Sequence, residues 1–285
     1  LRLDGSFDQS AGGVIRADDA GFAVVAGASI VGGFLDSSNG GAVLAMGGGN
    51  SVSGVTNLGD AGLRSSAGLD VLAGGLTNQG VLTVNAEPGG LTTIMTIAET
   101  ATIDGSGEII LNIADVNGDY NDARLETAPG ATATNAQGHT ISGKGRVSGD
   151  WVNAGTIAAD RPGQDLQILG AAVTQTATGV VRADDTGAIA FIDSTVTGGT
   201  FDSAASGSVQ FAGGSSEMGG VTNLGEAGVR SGASVDLLAP GFTNDGTFTV
   251  NSNRGGLTTT VSALADATID GSGAVHLNLD PGNGD

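Results

Sequence analysis

The feature that most constrains this chain is an internal repeat in which position n is matched by position n + 166. Val14-Ile-Arg-Ala-Asp-Asp19 returns as Val180-Val-Arg-Ala-Asp-Asp185, and Gly54-Val-Thr-Asn-Leu-Gly59 as Gly220-Val-Thr-Asn-Leu-Gly225. Ala101-Thr-Ile-Asp-Gly-Ser-Gly107 returns as Ala267-Thr-Ile-Asp-Gly-Ser-Gly273. Residues 14–119 align with 180–285 without a gap, at 52 identities in 106 positions. The 285 residues hold about 1.7 such periods, the pattern expected of a window on a longer array. The corresponding division is a partial first copy (1–119), intervening coils of the same repeat unit (120–165) and a partial second copy (166–285), expected to form one continuous solenoid.

A shorter rhythm runs inside the period. Turn glycines fall at Gly13, Gly33, Gly54, Gly80, Gly105, Gly155 and Gly179. Their steps run from 20 to 26, apart from one of 50 that reads as two turns of 25, which makes about seven coils per period. Such coils are too short for the helix pairs of 33–45-residue repeats. Val81-Leu-Thr-Val84, Glu108-Ile-Ile-Leu-Asn-Ile113 and Thr247-Phe-Thr-Val250 are rich in β-branched residues and bounded by Gly, Asn and Asp, which predicts strands. No stretch carries a sustained helical apolar stripe, and 52 glycines oppose helix at about 1 kcal/mol each relative to Ala. The expected fold is all-β, a parallel β-solenoid with a narrow core of small residues. Large residues exchange phase between Phe22–Ala26 and Ala188–Ile192, so the text alone does not identify the inward face there.

Asn stands two residues before Gly in Thr56-Asn-Leu-Gly59, Thr77-Asn-Gln-Gly80 and Val152-Asn-Ala-Gly155. Two readings stay open. Asn tolerates the left-handed backbone of a tight turn. Asn57 and Asn78 are also about one coil apart, as amides stacked in a column would be.

Composition removes several function classes. Asp+Glu 30 against Lys+Arg 10 gives a net charge of −20, which repels phosphate backbones and excludes nucleic acid as a partner. Without cysteine there is neither a disulfide framework nor a thiolate metal site. No apolar stretch is long enough to span a bilayer. A hydrophobic fraction of 39% is too high for an acidic disordered tail.

Gly13-Val-Ile-Arg-Ala-Asp18, Leu76-Thr-Asn-Gln-Gly-Val-Leu-Thr-Val84 and Trp151-Val-Asn-Ala-Gly-Thr-Ile157 resemble the coils of large bacterial surface proteins, the passenger regions of autotransporters and the filamentous-haemagglutinin-type adhesins. The resemblance covers the whole chain through degenerate motifs that report coil shape. It implies a right-handed parallel β-helix, secretion, an extracellular location on the bacterial cell surface, and a structural or adhesive role in a fibre, stalk or matrix. The partners it implies are neighbouring copies or continuing repeats and cell-surface or matrix glycans. It carries no catalytic residue, and the expectation is that the chain is not an enzyme.

The strongest local chemical signal is Asp115-Val-Asn-Gly-Asp-Tyr-Asn-Asp-Ala-Arg-Leu-Glu126. Asp115, Asn117, Asp119, Asn121 and Glu126 occupy positions 1, 3, 5, 7 and 12 of a calcium loop, and calcium takes six to eight such oxygens. Tyr120 stands where that loop has its turn glycine, and the flanks read as strand, so a solvated acidic loop competes with a calcium site. Asp18-Asp19 and Asp184-Asp185, each following an Arg, read as charged corners. His139 and His276 are isolated and build no triad or metal motif. A calcium-linked surface layer is the alternative closest to the structural reading. A β-helix enzyme acting on polysaccharides needs converging carboxylates and stacking aromatics, and one Trp and one Tyr supply few. Ice binding needs a flat threonine lattice, which coils of unequal length would break.

Overall fold

The computed structural model describes residues 1–87, 89–113, 119–163, 165–264 and 266–279. Among them are strands and turns but no helix, and therefore no helix long and apolar enough to cross a membrane. The chain divides into two compact units, Leu1–Trp151 and Val152–Asp285. Each is a parallel β-solenoid in which a strand pairs with the strands one coil before and one coil after it.

In the first unit, Val81–Val84 lies between Asp60–Leu63 and Glu108–Asn112, with Leu82 opposite Ala61 and Ile109. Successive side chains of a strand point to opposite faces, so Leu82 and Val84 face in while Val81 and Thr83 face out. Registration then builds rows along the stack. Val25, Ala45, Leu63, Val84 and Leu111 pair in succession, and all are buried. Burying each aliphatic side chain of such a row contributes about 1.5–3 kcal/mol.

The second unit repeats these elements. Glu226–Val229, Thr247–Val250 and Ala274–Leu277 occupy the places of the three strands above. The ambiguous phase resolves here. Ala23 and Val25 face in, as do Ile189 and Phe191, their counterparts one period on, while Phe22 points to solvent. Phe191 stacks with Phe201 and Phe211 at ring-centroid distances of 5.6 and 5.4 Å, where the first unit has Val25, Leu35 and Ala45. The smaller trio leaves a cavity of about 30 Å³ in the first unit.

Coil length varies more than the glycine rhythm suggests. Val43 pairs with Ala61, an advance of 18 in the numbering, whereas Ile109 pairs with Ile141, an advance of 32. Leu125 then pairs with Val147, an advance of 22. The long glycine step is therefore not two equal turns. Its first coil carries the extra acidic stretch between Ile113 and Ala123, which glycine spacing alone does not reveal.

At the corners the backbones approach closely. The N–H of Val81 donates to Gly59 O (3.0 Å) and that of Glu108 to Gly80 O (3.0 Å). A Cβ on Gly80 would run into the Gly59 carbonyl oxygen, and one on Gly246 into that of Gly225. Beside this corner runs a column of buried amides. Asn57 Nδ2 donates to Gly59 O (3.0 Å) and to Asn78 Oδ1 (2.8 Å). Asn78 Nδ2 donates to Glu108 O (3.0 Å) and to His139 Nε2 (3.2 Å). An amide nitrogen only donates, so Nε2 accepts, and the ring's proton sits on Nδ1, which donates to Asn135 Oδ1 (2.7 Å). Asn223 and Asn244 reproduce the first step at the same 2.8 Å, and Asn153 meets Gln175 in the same way (3.2 Å).

The corner and the column can each be tested by substitution. Gly80→Ala should cost about 3 kcal/mol, because two backbones must separate. Gly48→Ala, where a Cβ meets nothing within 4 Å, should stay within about 0.5 kcal/mol; equal losses in denaturant titrations would refute the close-approach argument. Burial lowers the His139 pKa from 6.5 to about 4, with Asp104 opposing the shift. As the pH falls from 6.5 to 4 the unfolded chain takes up the proton first, so stability intact above this window should decline through it by on the order of 3 kcal/mol. A His139→Gln chain should lack that share of the acid loss, and matching pH profiles for the two chains would disprove it.

Candidate functional site

Asp115 and Asn117, the first two candidate ligands of the calcium loop, lie outside the described residues. The remainder belongs to the first unit. Asp119 Oδ1 accepts from the backbone N–H (2.8 Å) and side-chain Nδ2 (2.9 Å) of Asn121, and the Asp122 N–H donates to Asp119 O (3.1 Å). This turn leads into the strand Ala123–Thr127, which sets Arg124 opposite Arg146 and Glu126 opposite Ser148.

Two arginines on registered neighbouring strands thus stand among the acidic residues. Arg146 Nη1 donates to Asn121 Oδ1 (2.7 Å), and Arg124 pairs with Glu126. Desolvation, followed by repulsion from Arg124, lowers the pKa of Arg146, while Asp119 and Glu126 hold it up. The structure therefore brings Asp119 and Asn121 together at one turn. It places Glu126 on the adjoining strand in an ion pair, and the oxygens of Asn121 and Glu126 already accept from cations of the chain.

One residue that the loop spacing overlooked is Asp122. It is 4% exposed, and its Oδ2 is buried without a hydrogen-bond partner. Desolvation, then repulsion from Asp119, raises its pKa. An Asp beside an Asn in an acidic loop gives no sign of burial until Thr93 N–H is seen to reach its carbonyl (3.1 Å), drawing the turn against the neighbouring strand. Among the described residues, no group of three or more His, Cys, Asp or Glu side chains is arranged to hold a metal ion.

The Arg-Asp-Asp corners are built differently in the two units. Arg16 pairs chiefly with Asp36, its registered neighbour on the next coil, and lies 3.9 Å from Asp18. Arg182 turns to Asp184 (2.8 Å) although Asp202 is its registered partner. Asp19 and Asp185 serve the turns, with φ of 52° and 48°. These pairs raise the pKa of both arginines and keep the aspartates engaged within the corner. His139 is sealed in the amide column, whereas His276 is exposed on Ala274–Leu277. The two histidines share no site.

No family model and no curated protein matches the chain. Among solved structures, it is similar to the crystal structure of a TibA fragment (residues 55–350) hyper-glycosylated by TibC. The identity is 13% and the TM-score 0.29, over 96% of this chain and 97% of that one.

Proposed function

We propose that this chain is a structural and adhesive segment of a long extracellular bacterial repeat protein, forming part of a surface fibre, stalk or matrix and performing no catalysis. The observation that carries this reading is what the repeat keeps and what it lets vary. Asn57 and Asn223 make the same bonds to the same kinds of atom, at 3.0 and 2.8 Å in both units. The outward charges change partners instead. Arg64 pairs with Glu87 while its counterpart Arg230 pairs with Asp165, as Arg16 and Arg182 also differ. The corner amide is thus what the two copies share, and no outward polar constellation is repeated at these arginines. The net charge of −20 keeps neighbouring molecules dispersed at low salt.

The purified chain should bind matrix or cell-surface glycans in an immobilised array without altering them. Release of reducing ends or unsaturated sugars from any polysaccharide offered would overturn the non-enzymatic reading, and failure to bind any glycan would remove glycans as partners.

A calcium-linked surface layer is a second reading, favoured by one observation, the unpartnered buried oxygen of Asp122 beside Asp119. Asp119 and Asp122 suit a hard cation, while Asn121 and Glu126 would first have to leave Arg146 and Arg124. On this reading millimolar calcium should raise Tm by about 2–4 °C over chelator, and Asp119→Asn should abolish the rise. A Tm indifferent to calcium discards it.

A further inference from the structure

The chain has three methionines, and their surroundings separate one from the other two. Met95 and Met218 belong to the core and are 0% exposed. Met46 ends the strand Ala42–Met46 and is half-buried. It lines an open cavity of about 300 Å³ together with Gly47, Arg64, Ser65, Ser66 and Glu87.

Three successive coils build this cavity. Ala45, Leu63 and Val84 pair in register, so the residues that follow them emerge at one corner. The N–H of Arg64 donates to Ala45 O (3.0 Å) and that of Ala86 to Leu63 O (2.7 Å). Glu87 accepts from Arg64 Nε (2.6 Å) and from its Nη2. The remaining nitrogen, Nη1, donates to Met46 Sδ (3.6 Å). The second unit keeps the arginine as Arg230 but has Ala212 and Asn253 in the places of Met46 and Glu87. There Arg230 pairs with Asp165, and Asn253 Oδ1 accepts from the Ser231 N–H (2.7 Å). The chain of sulfur, guanidinium and carboxylate is therefore an addition to the first unit that coil geometry does not require.

We propose that Met46 is a reversible oxidation site, at which hydrogen peroxide converts the thioether to a sulfoxide and Arg64 directs the new oxygen. A lone pair of Sδ attacks one peroxide oxygen. The S–O bond forms as the O–O bond breaks, and the departing oxygen takes the proton of the transferred one and leaves as water. Sulfur gives up two electrons and the peroxide gains them. The unbranched Met side chain adapts to the added atom, and the cavity beside it is open. The product is chiral at sulfur. Nη1 stands on one side of Sδ, so an oxygen on that side gains a charged donor and an oxygen on the other does not. A thioether is a weak acceptor, so oxidation strengthens the link from Met46 through Arg64 to Glu87 across the three coils. Sulfoxide reductases, one kind for each epimer, reverse the step.

The test treats the full chain with hydrogen peroxide and follows the three methionines by peptide mass spectrometry. Met46 should react about 100-fold faster than Met95 and Met218, which are reached only when the stack opens. After digestion, reductases specific for one or the other epimer should divide the Met46 product in a ratio of about 5 to 1, the bias of one net hydrogen bond. Arg64→Ala should make the two epimers equal, with Met95 and Met218 still protected as the sign that the variant is folded. Glu87→Gln, which loosens the guanidinium and leaves the coil intact, should lessen the bias. Oxidation of Met95 or Met218 in step with Met46 in the native chain overturns the site. Equal epimers in the native chain, or a bias unchanged in both variants, overturns the part assigned to Arg64.

Discussion

The structure depends on how closely one coil lies on the next. Parallel hydrogen bonds hold the coils together, and at the corners the N–H of Val81 and Glu108 reach Gly59 O and Gly80 O at 3.0 Å. That approach admits no Cβ, so glycine recurs in a column of its own at 59, 80 and 107, and again at 225, 246 and 273. Asn two residues before Gly59, Gly80, Gly225 and Gly246 serves the same corner. Asn57 Nδ2 donates both to Gly59 O and to the amide of Asn78. Of the two readings that the sequence leaves open, the column is the one realised, because Asn57, Asn78 and Asn153 do not adopt the left-handed backbone.

A narrow stack has little volume for apolar side chains, and the interior answers with small and aliphatic residues in rows. Where the second unit places three phenylalanines, the first retains Val25, Leu35 and Ala45 around a small void. The backbone course is the same in both, because registration is set by the corners and the pleat rather than by the size of the residues between them. The polar interior is less forgiving. Asn57 Oδ1 and Asn223 Oδ1 are buried without partners, so each column begins with an unsatisfied acceptor, a cost of about 1–3 kcal/mol. His139 is held neutral by burial and by Asn78, and its part in the column is structural.

The outer surface follows different rules. Exposed ion pairs contribute about 0–1 kcal/mol, too little to hold a partner fixed across a repeat. Arg16 and Arg182 share sequence surroundings and yet select different aspartates, and Arg64 and Arg230 differ likewise. Arg124 and Arg146 stand in register on successive coils, and Arg124 follows the acidic stretch in sequence.

The sequence alone determined the parallel strand stack, because a long gapless repeat, glycine at coil spacing and short β-branched runs leave few other ways to bury apolar surface. It offered Asn57 and Asn78, one coil apart, either as turn residues or as a stacked pair, and the structure selects the pair. Only the tertiary structure decided coil length around the acidic stretch, because register is fixed by partners on neighbouring coils and not by the residues between turns. It alone decided that Val25 and Phe191 face inward, because alternation has two phases and burial selects one. The same holds for Asp122 and His139. Their burial comes from strands distant in sequence, and no local pattern records which polar side chain a neighbouring coil will cover.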